Sequence, residues 1–166
     1  MKKAPIPEFE KRRLDVLHQL GILGTEPERR FDILTKEAVR KLAVPIATVS
    51  ILDANKEWYK SSQGLIQKEG DRAVSFCGHA LLSKVLFIIE DTLKDERFAD
   101  NPSVIGPPFI RFYAGMALYH RGSNLPIGVF CIKDIKPRDL SIGEIQIFLD
   151  LASKAEDEIN KDTNNK

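Results

Sequence analysis

The apolar residues near the start of the chain follow the spacing of a helix. Three leucines recur at intervals of three, with charged residues between them: Leu14, Leu17 and Leu20. This pattern predicts an amphipathic helix over 8–20 and leaves the residues before it as a loose head. The segment Thr25-Glu-Pro-Glu28 has the sequence of a capping box with proline in the first turn. We therefore predict that a second helix begins there and runs to about Leu42.

From position 47 the period of the pattern changes to two, which is typical of β-strands. One set of apolar residues alternates with a second, more polar set: Ala47, Val49 and Ile51 against Thr48, Ser50 and Leu52. The segment 57–62 is predicted to return as the second strand of a hairpin. A further strand is predicted at 86–91. The strongest hairpin signal lies later, where 109–120 and 126–134 are joined across a short polar connection.

Shorter elements are predicted between and after these hairpins. A polar, glycine-containing loop is expected over 63–74, and Ser75 is a good N-cap for a short helix that ends at Ser83. The segment 92–108 has no sustained period, and we expect a short helix around 95–100. A second capping box, Ser141-Ile-Gly-Glu144, begins the last helix.

The order of these elements, α-α-β-β-α-β-β-β-α, indicates the fold class. Two hairpins with no helix between their strands favour an antiparallel or mixed sheet over a doubly wound parallel one, so we predict an α+β fold. With 166 residues, the chain has the size of one domain. The expected division is an N-terminal extension over 1–12, a single domain over 13–159 and a disordered tail over 160–166.

The composition narrows the class of partner. Hydrophobic residues make up 43% of the chain and charged residues 30%, with a formal net charge of +1. This balance argues against binding to nucleic acid or to an anionic membrane surface, which needs concentrated basic charge. The N-terminus lacks the apolar region of a secretory signal, and runs such as 86–89 are far shorter than the roughly 20 residues that span a bilayer. We expect a cytoplasmic protein with reduced thiols.

Cys77 and His79, in the stretch SFCGHALLS, are the residues most suggestive of chemistry. Two residues apart on a helix, their side chains point about 200° apart, so we predict no metal site. Cys77 lies near a predicted helix N-terminus, where the helix dipole favours a reactive thiolate. Free cysteines are also often buried packing residues, and no hydrolase or nucleotide-binding signature accompanies this one. The packing interpretation is favoured, and no catalytic residue is assigned.

A second group of side chains has the composition of a small-molecule cavity, although simple core packing or a surface network of polar groups would explain it as well. The large aromatics of the middle of the chain belong to this group, with polar residues near them and Cys131 in a strand as a wall residue. The candidate pocket residues are Trp58, Phe76, Cys77, His79, Arg97, Phe98, Asn101, Phe112, Tyr113 and Cys131.

Several blocks of the sequence, in order, resemble a bacterial GAF domain of the signalling type. The first block runs from RLDVLHQLGILG to YKSSQGL, and the later ones are SFCGHALLS, IEDTLKDERFADNPSV, PPFIRFYAGMAL, IGVFCIKD and PRDLS. The resemblance covers the chain from about Arg13 to Leu151. It implies a central antiparallel sheet of five to six strands with helices on both faces. It also implies a cavity between the sheet and the segments 75–83 and 92–112.

The resemblance also implies a function. Members of the family bind cyclic nucleotides, tetrapyrroles or other small molecules, or act as dimerisation modules, and usually regulate a signalling enzyme. We therefore expect a non-catalytic sensory or regulatory domain that binds an unidentified small molecule or a protein partner. It would act as a homodimer through its first and last helices, or on a separate kinase or cyclase output protein. The blocks differ from those of bilin-binding photoreceptors, and no cofactor is expected.

One enzymatic branch of the family supplies the alternative. That branch reduces free methionine sulfoxide with cysteines that line the cavity, and SFCGHA is loosely similar to its cysteine segment. The chain would then be a thiol-dependent methionine sulfoxide reductase-like enzyme that uses Cys77. Such chemistry needs a second thiol within disulfide range. The segment 92–108 contains no cysteine, so Cys131 would have to face the same cavity.

Overall fold

The computed structural model describes the backbone of residues 1–164 and the side chains as far as Lys161. In this part of the chain the helices are α1 (Glu10–Leu20), α2 (Arg29–Leu42), α3 (Phe76–Ala80), α4 (Pro102–Ile105) and α5 (Ile142–Asn164). The strands are β1 (Ile46–Leu52), β2 (Lys56–Gln63), β3 (Glu69–Asp71), β4 (Phe87–Ile89), β5 (Phe112–His120) and β6 (Leu125–Asp134). None of the helices described is long and apolar enough to cross a membrane.

The six strands form one sheet in the order β3-β2-β1-β6-β5-β4, and every neighbouring pair is antiparallel. Strands that are far apart in the sequence meet at the centre of the sheet, where Ala47 of β1 lies opposite Ile132 of β6. Helices cover both faces of the sheet. The predicted α+β fold with a central antiparallel sheet is therefore confirmed.

The period of two in β1 sorts its side chains onto the two faces. Ala47, Val49 and Ile51 join the larger apolar core, which α1, α2 and α5 cover. Thr48 and Ser50 lie on the opposite face, where α3 and α4 cover a smaller core. The sheet therefore separates a large apolar core from a smaller one in which polar side chains of β1 contact cysteine.

The first predicted capping box does not form. Helix α2 begins at Arg29, and no side chain caps it. The hydroxyl of Thr25 instead donates to the carbonyl of Ile22 at 2.6 Å and accepts from the ammonium of Lys60 at 2.7 Å. The N-cap position of α2 is Glu28, three residues after Thr25, and the Thr25 hydroxyl instead links the preceding turn to β2.

The short elements around the second hairpin differ from those predicted. The expected loop over 63–74 contains strand β3 and a 3₁₀ turn at Arg72–Val74. No helix forms around 95–100; a 3₁₀ turn at Thr92–Lys94 precedes this segment and α4 follows it. Asp91 caps the turn and Asn101 caps α4 through their side chains. The helical turns therefore begin where side-chain oxygens cap the backbone, and the apolar period did not reveal these positions.

The N-terminal head, predicted to be loose, packs against the rest of the chain. The amide of Lys2 donates to the carbonyl of Arg97 at 3.1 Å, and the amide of Ala4 donates to the carbonyl of Ala73 at 2.9 Å. Ala4 also lies directly over Gly78 of α3, where an added Cβ would come within 2.6 Å of the Ala4 methyl group. We call residues 1–5 the N-terminal strap.

The last helix runs beyond the predicted start of the disordered tail. Helix α5 continues to Asn164, and residues 165–166 lie outside the described part of the chain. The side chain of Asn160 is buried, donates to the carbonyl of Tyr119 at 2.9 Å and accepts from the amide of Arg121 at 2.9 Å. These bonds tie the helix to the end of β5, which a polar composition alone did not indicate.

Candidate functional site

Helix α3 places the SFCGHALLS stretch against the sheet. The hydroxyl of Ser75 accepts from the amide of Gly78 at 2.8 Å, so the predicted N-cap is present and the helix begins at Phe76. Phe76 and Cys77 are buried towards the sheet. His79 is half-buried on another side of the helix, where its Nε2 lies 3.1 Å from the carbonyl oxygen of Lys2.

Both cysteines belong to one buried polar group, the thiol cluster, which also contains Thr48, Ser50 and Tyr113. The Tyr113 hydroxyl donates to Cys77 Sγ at 3.1 Å, and Thr48 Oγ1 lies 3.0 Å from Cys131 Sγ. Cys77 Sγ lies 3.7 Å from Ser50 Oγ, which in turn lies 2.7 Å from Thr48 Oγ1, so the two hydroxyls link the two thiols. Cys77 is fully buried, and this burial raises the pKa of its thiol well above the ordinary value.

Aromatic rings fill the space beside the thiol cluster. Phe76 stacks between Phe98 and Tyr113, with ring centroids 4.7 Å and 5.2 Å away. His79 meets the edge of the Phe98 ring at 4.7 Å. The middle of the α3 face is therefore closed by packed side chains, which separate the thiols from solvent.

An open cavity of about 230 Å³ lies on the other side of Phe76. It is bounded by β2 and β3, by the segment that leads into α3, and by the segment that follows α4. Its lining residues are Glu57, Tyr59, Leu65, Gln67, Glu69, Gly70, Asp71, Val74, Ser75, Phe76, Ser103, Pro107, Pro108, Ile110 and Lys133. We call this space the Glu57–Lys133 cavity.

The two charged residues that name the cavity are buried and incompletely paired. Glu57 is 2% exposed; its Oε1 accepts from the Tyr59 hydroxyl at 2.9 Å, while its Oε2 has no hydrogen-bond partner. Lys133 is 8% exposed and places its ammonium 5.7 Å from the centroid of the Phe76 ring. Burial disfavours the charged form of Lys133, but electrostatic interaction with Cys131 and then with Glu57 outweighs it and raises the pKa of Lys133 to about 12.

The predicted pocket residues fall into three groups. Phe76 lines the cavity, and Cys77, Phe98, Tyr113 and Cys131 pack behind it on the same face of the sheet. His79, Arg97 and Asn101 lie around α3 and α4. The Arg97 guanidinium pairs with Asp95 at 2.7 Å, and the Asn101 amide donates to the Val74 carbonyl at 2.8 Å, so both make local structural contacts.

Trp58 and Phe112 lie on the opposite face of the sheet from the cavity, where they pack in the larger core. The reason is the alternation along a strand: each is adjacent in sequence to a residue of the cavity side, Glu57 and Tyr113 respectively. Phe112 is fully buried there, and Trp58 is half-buried. Which face they occupy depends on the register of β2 and β5.

Sequence reasoning missed the two charged cavity residues. Glu57 opens the predicted strand 57–62, and Lys133 follows Cys131 by two positions in the strand 126–134. Residues two apart in a strand share a face, so a cavity-facing Cys131 implies a cavity-facing Lys133. The lysine after the apolar residues of this strand was the available indication of a charged residue in the cavity.

A larger groove of about 420 Å³ lies between β2 and the segment before α2. Its buried lysine, Lys60, donates to the carbonyl of Glu26 at 2.7 Å and pairs with Glu28 at 2.6 Å. The lysine buried in this groove is thus paired within the chain. Across residues 1–161, no group of three or more His, Cys, Asp or Glu side chains is placed to hold a metal ion.

Comparison with known proteins gives the family. The family model of the GAF domain matches residues 26–159. The chain is 39% identical over 138 residues to a cyclic di-GMP phosphodiesterase from Pseudomonas aeruginosa, and this match covers 83% of the chain but 23% of the relative. The chain thus spans less than a quarter of that protein's length.

Solved structures show the same fold at low identity. The GAF domain of an Acinetobacter phosphoenolpyruvate-protein phosphotransferase superposes with a TM-score of 0.61 at 18% identity, covering 89% of this chain and 92% of that one. A type II free methionine-R-sulfoxide reductase from Thermoplasma acidophilum superposes with a TM-score of 0.63 at 13% identity, covering 78% and 89%. Because the GAF family model matches most of the chain and the fold is that of GAF domains, the chain belongs to the GAF domain family.

Proposed function

We propose that this GAF domain is a non-catalytic sensory or regulatory module that binds a small molecule in the Glu57–Lys133 cavity. The observation that carries the proposal is the buried Glu57 carboxylate, whose Oε2 has no hydrogen-bond partner, together with the mostly buried Lys133 in the same cavity wall. Buried polar atoms without partners destabilise a folded protein, and they are common where a ligand completes the hydrogen bonding. Apolar walls with a few polar groups are also the usual composition of a small-molecule site.

The signalling part of the proposal rests on similarity. The relative that shares 39% identity is a cyclic di-GMP phosphodiesterase, and the shared segment is a minor part of that protein. A domain of this kind is suited to regulating a catalytic partner and not to performing the catalysis itself. We propose that the chain passes its ligand state to a kinase or cyclase output protein.

We further propose that the domain forms a homodimer through the side covered by its first and last helices. Two apolar side chains of α5 remain exposed there, Ile142 at 78% and Leu149 at 38%. Phe9, immediately before α1, is also exposed. An apolar helix surface of this kind is typical of a self-association site.

The ligand-binding proposal is tested by thermal unfolding with a panel of metabolites and cyclic nucleotides. A ligand that binds only the native state stabilises it by about 2.7 kcal/mol at a concentration of 100 times its Kd, which raises the Tm. At least one compound should raise the Tm of the wild type, and Lys133→Met together with Glu57→Gln should abolish that shift. The matched control is the exposed Lys136→Met, which should keep it.

The purified protein provides the second readout of this test. Native mass spectrometry of protein prepared without added ligand should show a bound small molecule, or the panel should identify one. If neither occurs, the ligand-binding proposal is wrong and a pure protein-interaction module remains.

One observation favours a second candidate, a thiol-dependent enzyme of the methionine sulfoxide reductase type. Cys131 lies in the same thiol cluster as Cys77, linked to it through Thr48 and Ser50. Against it, both thiols are fully buried, Phe76 lies between them and the cavity, and burial raises the pKa of Cys77. A substrate would have to displace Phe76 to reach sulfur. Turnover of free methionine sulfoxide with a thiol reductant would establish this alternative.

A further inference from the structure

The composition of the cavity wall restricts the charge of its ligand. Lys133 is the one cationic residue among the lining residues, which also include three carboxylates: Glu57, Glu69 and Asp71. Phosphate-bearing ligands are held by several cations or by backbone amides at a helix N-terminus. A wall with three carboxylates and a single ammonium disfavours such an anion.

Glu69 and Asp71 already have partners within the protein. The charged groups available to a ligand are therefore those of Glu57 and Lys133. Glu69 accepts from the ammonium of Lys56 at 3.0 Å, and Asp71 accepts from the backbone amide of Ala73 at 2.9 Å. Glu57 and Lys133 remain available to a ligand. Among the described residues Glu57 Oε2 is a buried oxygen without a partner, and the Lys133 ammonium lies 5.7 Å from the centroid of the Phe76 ring.

The two charged groups require opposite partners. An ionised carboxylate only accepts hydrogen bonds, so Glu57 Oε2 needs a donor. An ammonium only donates, so Lys133 needs an acceptor, and a contact with the Phe76 ring supplies none. A single ligand that carries an anionic acceptor and a cationic donor close together would satisfy both residues.

The rest of the wall indicates the size and polarity of the ligand. Its apolar residues are Leu65, Val74, Phe76, Pro107, Pro108 and Ile110. The volume of about 230 Å³ is below the range of about 300–1,000 Å³ that drug-sized ligands occupy. The cavity thus suits a small molecule with one apolar group and one compact charged end.

We propose that the Glu57–Lys133 cavity binds a small zwitterion of the amino-acid class, with the ligand carboxylate at Lys133 and the ligand ammonium at Glu57. An aliphatic or aromatic side chain of the ligand lies against Phe76 and Ile110. This inference rests on the proposed ligand-binding function and adds the chemical class of the ligand.

The experiment titrates the wild-type protein with each of the twenty protein amino acids, by calorimetry and thermal unfolding. At least one with an apolar side chain should bind. If leucine binds, it is compared with two probes of the same side chain: 4-methylpentanoate, which lacks the ammonium, and 3-methylbutylamine, which lacks the carboxylate. Each should bind at least tenfold more weakly than leucine, because each leaves one buried charge unsatisfied. These probes act on the wild type, so the result does not depend on a variant that folds.

Two variants give the complementary readout. Lys133→Met should weaken binding of the amino acid at least tenfold, because it removes the partner of the ligand carboxylate. Glu57→Gln should weaken binding to a similar extent, because it removes the charged partner of the ligand ammonium. The exposed Lys136→Met is the control. If 4-methylpentanoate or 3-methylbutylamine binds as tightly as leucine, the zwitterion inference is overturned.

The outcomes separate this inference from the function on which it rests. If no amino acid binds but a non-zwitterionic compound of the wider panel does, and the cavity variants abolish its binding, the inference fails and the proposed function stands. If no compound binds and the purified protein carries none, both fail.

Discussion

At the scale of single residues, Cys77 shows how burial outweighs a favourable backbone position. It is the second residue of α3, where the positive end of a helix lowers the pKa of a thiol. The helix has five residues, however, and its dipole is correspondingly small. Full burial, with the Tyr113 hydroxyl as hydrogen-bond donor at 3.1 Å, accompanies a pKa raised well above the ordinary value. The neutral thiol is therefore the expected form at neutral pH.

We predict slow alkylation of Cys77. Iodoacetamide at pH 7.5 should label it at least about 100-fold more slowly in the folded protein than in urea, because only the exposed thiolate reacts. Peptide mass mapping resolves Cys77 from Cys131. An Ala54→Cys variant supplies a solvent-exposed thiol in the turn between β1 and β2 as the internal rate standard. Labelling of Cys77 at the rate of this standard would favour the thiol enzyme over the sensory module.

The residues of the site were only partly predictable from the sequence. The family resemblance and the aromatic composition pointed to Phe76 and its neighbours Phe98 and Tyr113, which do pack together. Glu57 and Lys133 were missed because a charged residue in a strand usually faces solvent. Glu57 and Lys133 are buried because the segments of β3 and α4 cover their strands. No local sequence pattern indicates that these segments pack there.

At the scale of elements, a buried ion cluster fixes α1 to the turn before α3. The carboxylate of Glu10 accepts from Arg13 at 2.7 Å and from Arg72 at 3.0 Å. Both arginines are almost fully buried, so Glu10 is the partner that neutralises them. Partial burial acts to raise the pKa of Glu10, but the hydrogen bonds from Arg72 and Arg13 outweigh it and lower the pKa from 4.5 to about 2.

We predict that Glu10→Gln lowers the free energy of unfolding by about 3 kcal/mol at pH 7, because it leaves two buried guanidinium groups without a counter-charge. Denaturant unfolding followed by circular dichroism measures the change. The matched control is Asp150→Asn, which removes an exposed ion pair with Lys154 on α5 and should leave the stability close to that of the wild type.

The effect of Glu10→Gln should depend on pH in one direction. The pKa of Glu10 is lower in the folded state than in the unfolded chain, so its contribution is complete above about pH 4.5. It is lost as the pH falls from 4.5 towards 2, where the folded wild type also becomes protonated. The difference between wild type and variant should therefore shrink over this window. If the difference in free energy of unfolding stayed constant down to pH 2, the ionised Glu10 carboxylate would not be the cause of that difference.

The two capping boxes show what sequence can say about elements. The second one forms: the Ser141 hydroxyl accepts from the amide of Glu144 at 3.1 Å, and the Glu144 carboxylate accepts from the amide of Ser141 at 3.0 Å. The first has the same pattern, yet Thr25 is bonded to Lys60 of β2. A tertiary contact thus overrides a local signal, while the long helices and the hairpins follow from periodicity that many residues share.

At the scale of the whole molecule, we predict a dimer that depends on α5. Light scattering at micromolar concentration should give twice the 18.7 kDa mass of one chain. Leu149→Glu should convert the dimer to a monomer, because it places a charge in an apolar contact. Ile105→Glu, at an exposed position of α4 on the other side of the sheet, is the control and should remain dimeric. A wild type that is monomeric throughout this range would contradict the proposal.

The contact between the N-terminal strap and α3 also constrains how related sequences can vary. An added Cβ at position 78 would lie 2.6 Å from the Ala4 methyl group and 2.8 Å from the Ser75 hydroxyl, so the strap and the N-cap of α3 together require glycine there. Loss of the strap alone would not free the position, because the Ser75 contact remains. Relatives that replace this glycine should therefore differ at position 4 and at position 75 as well.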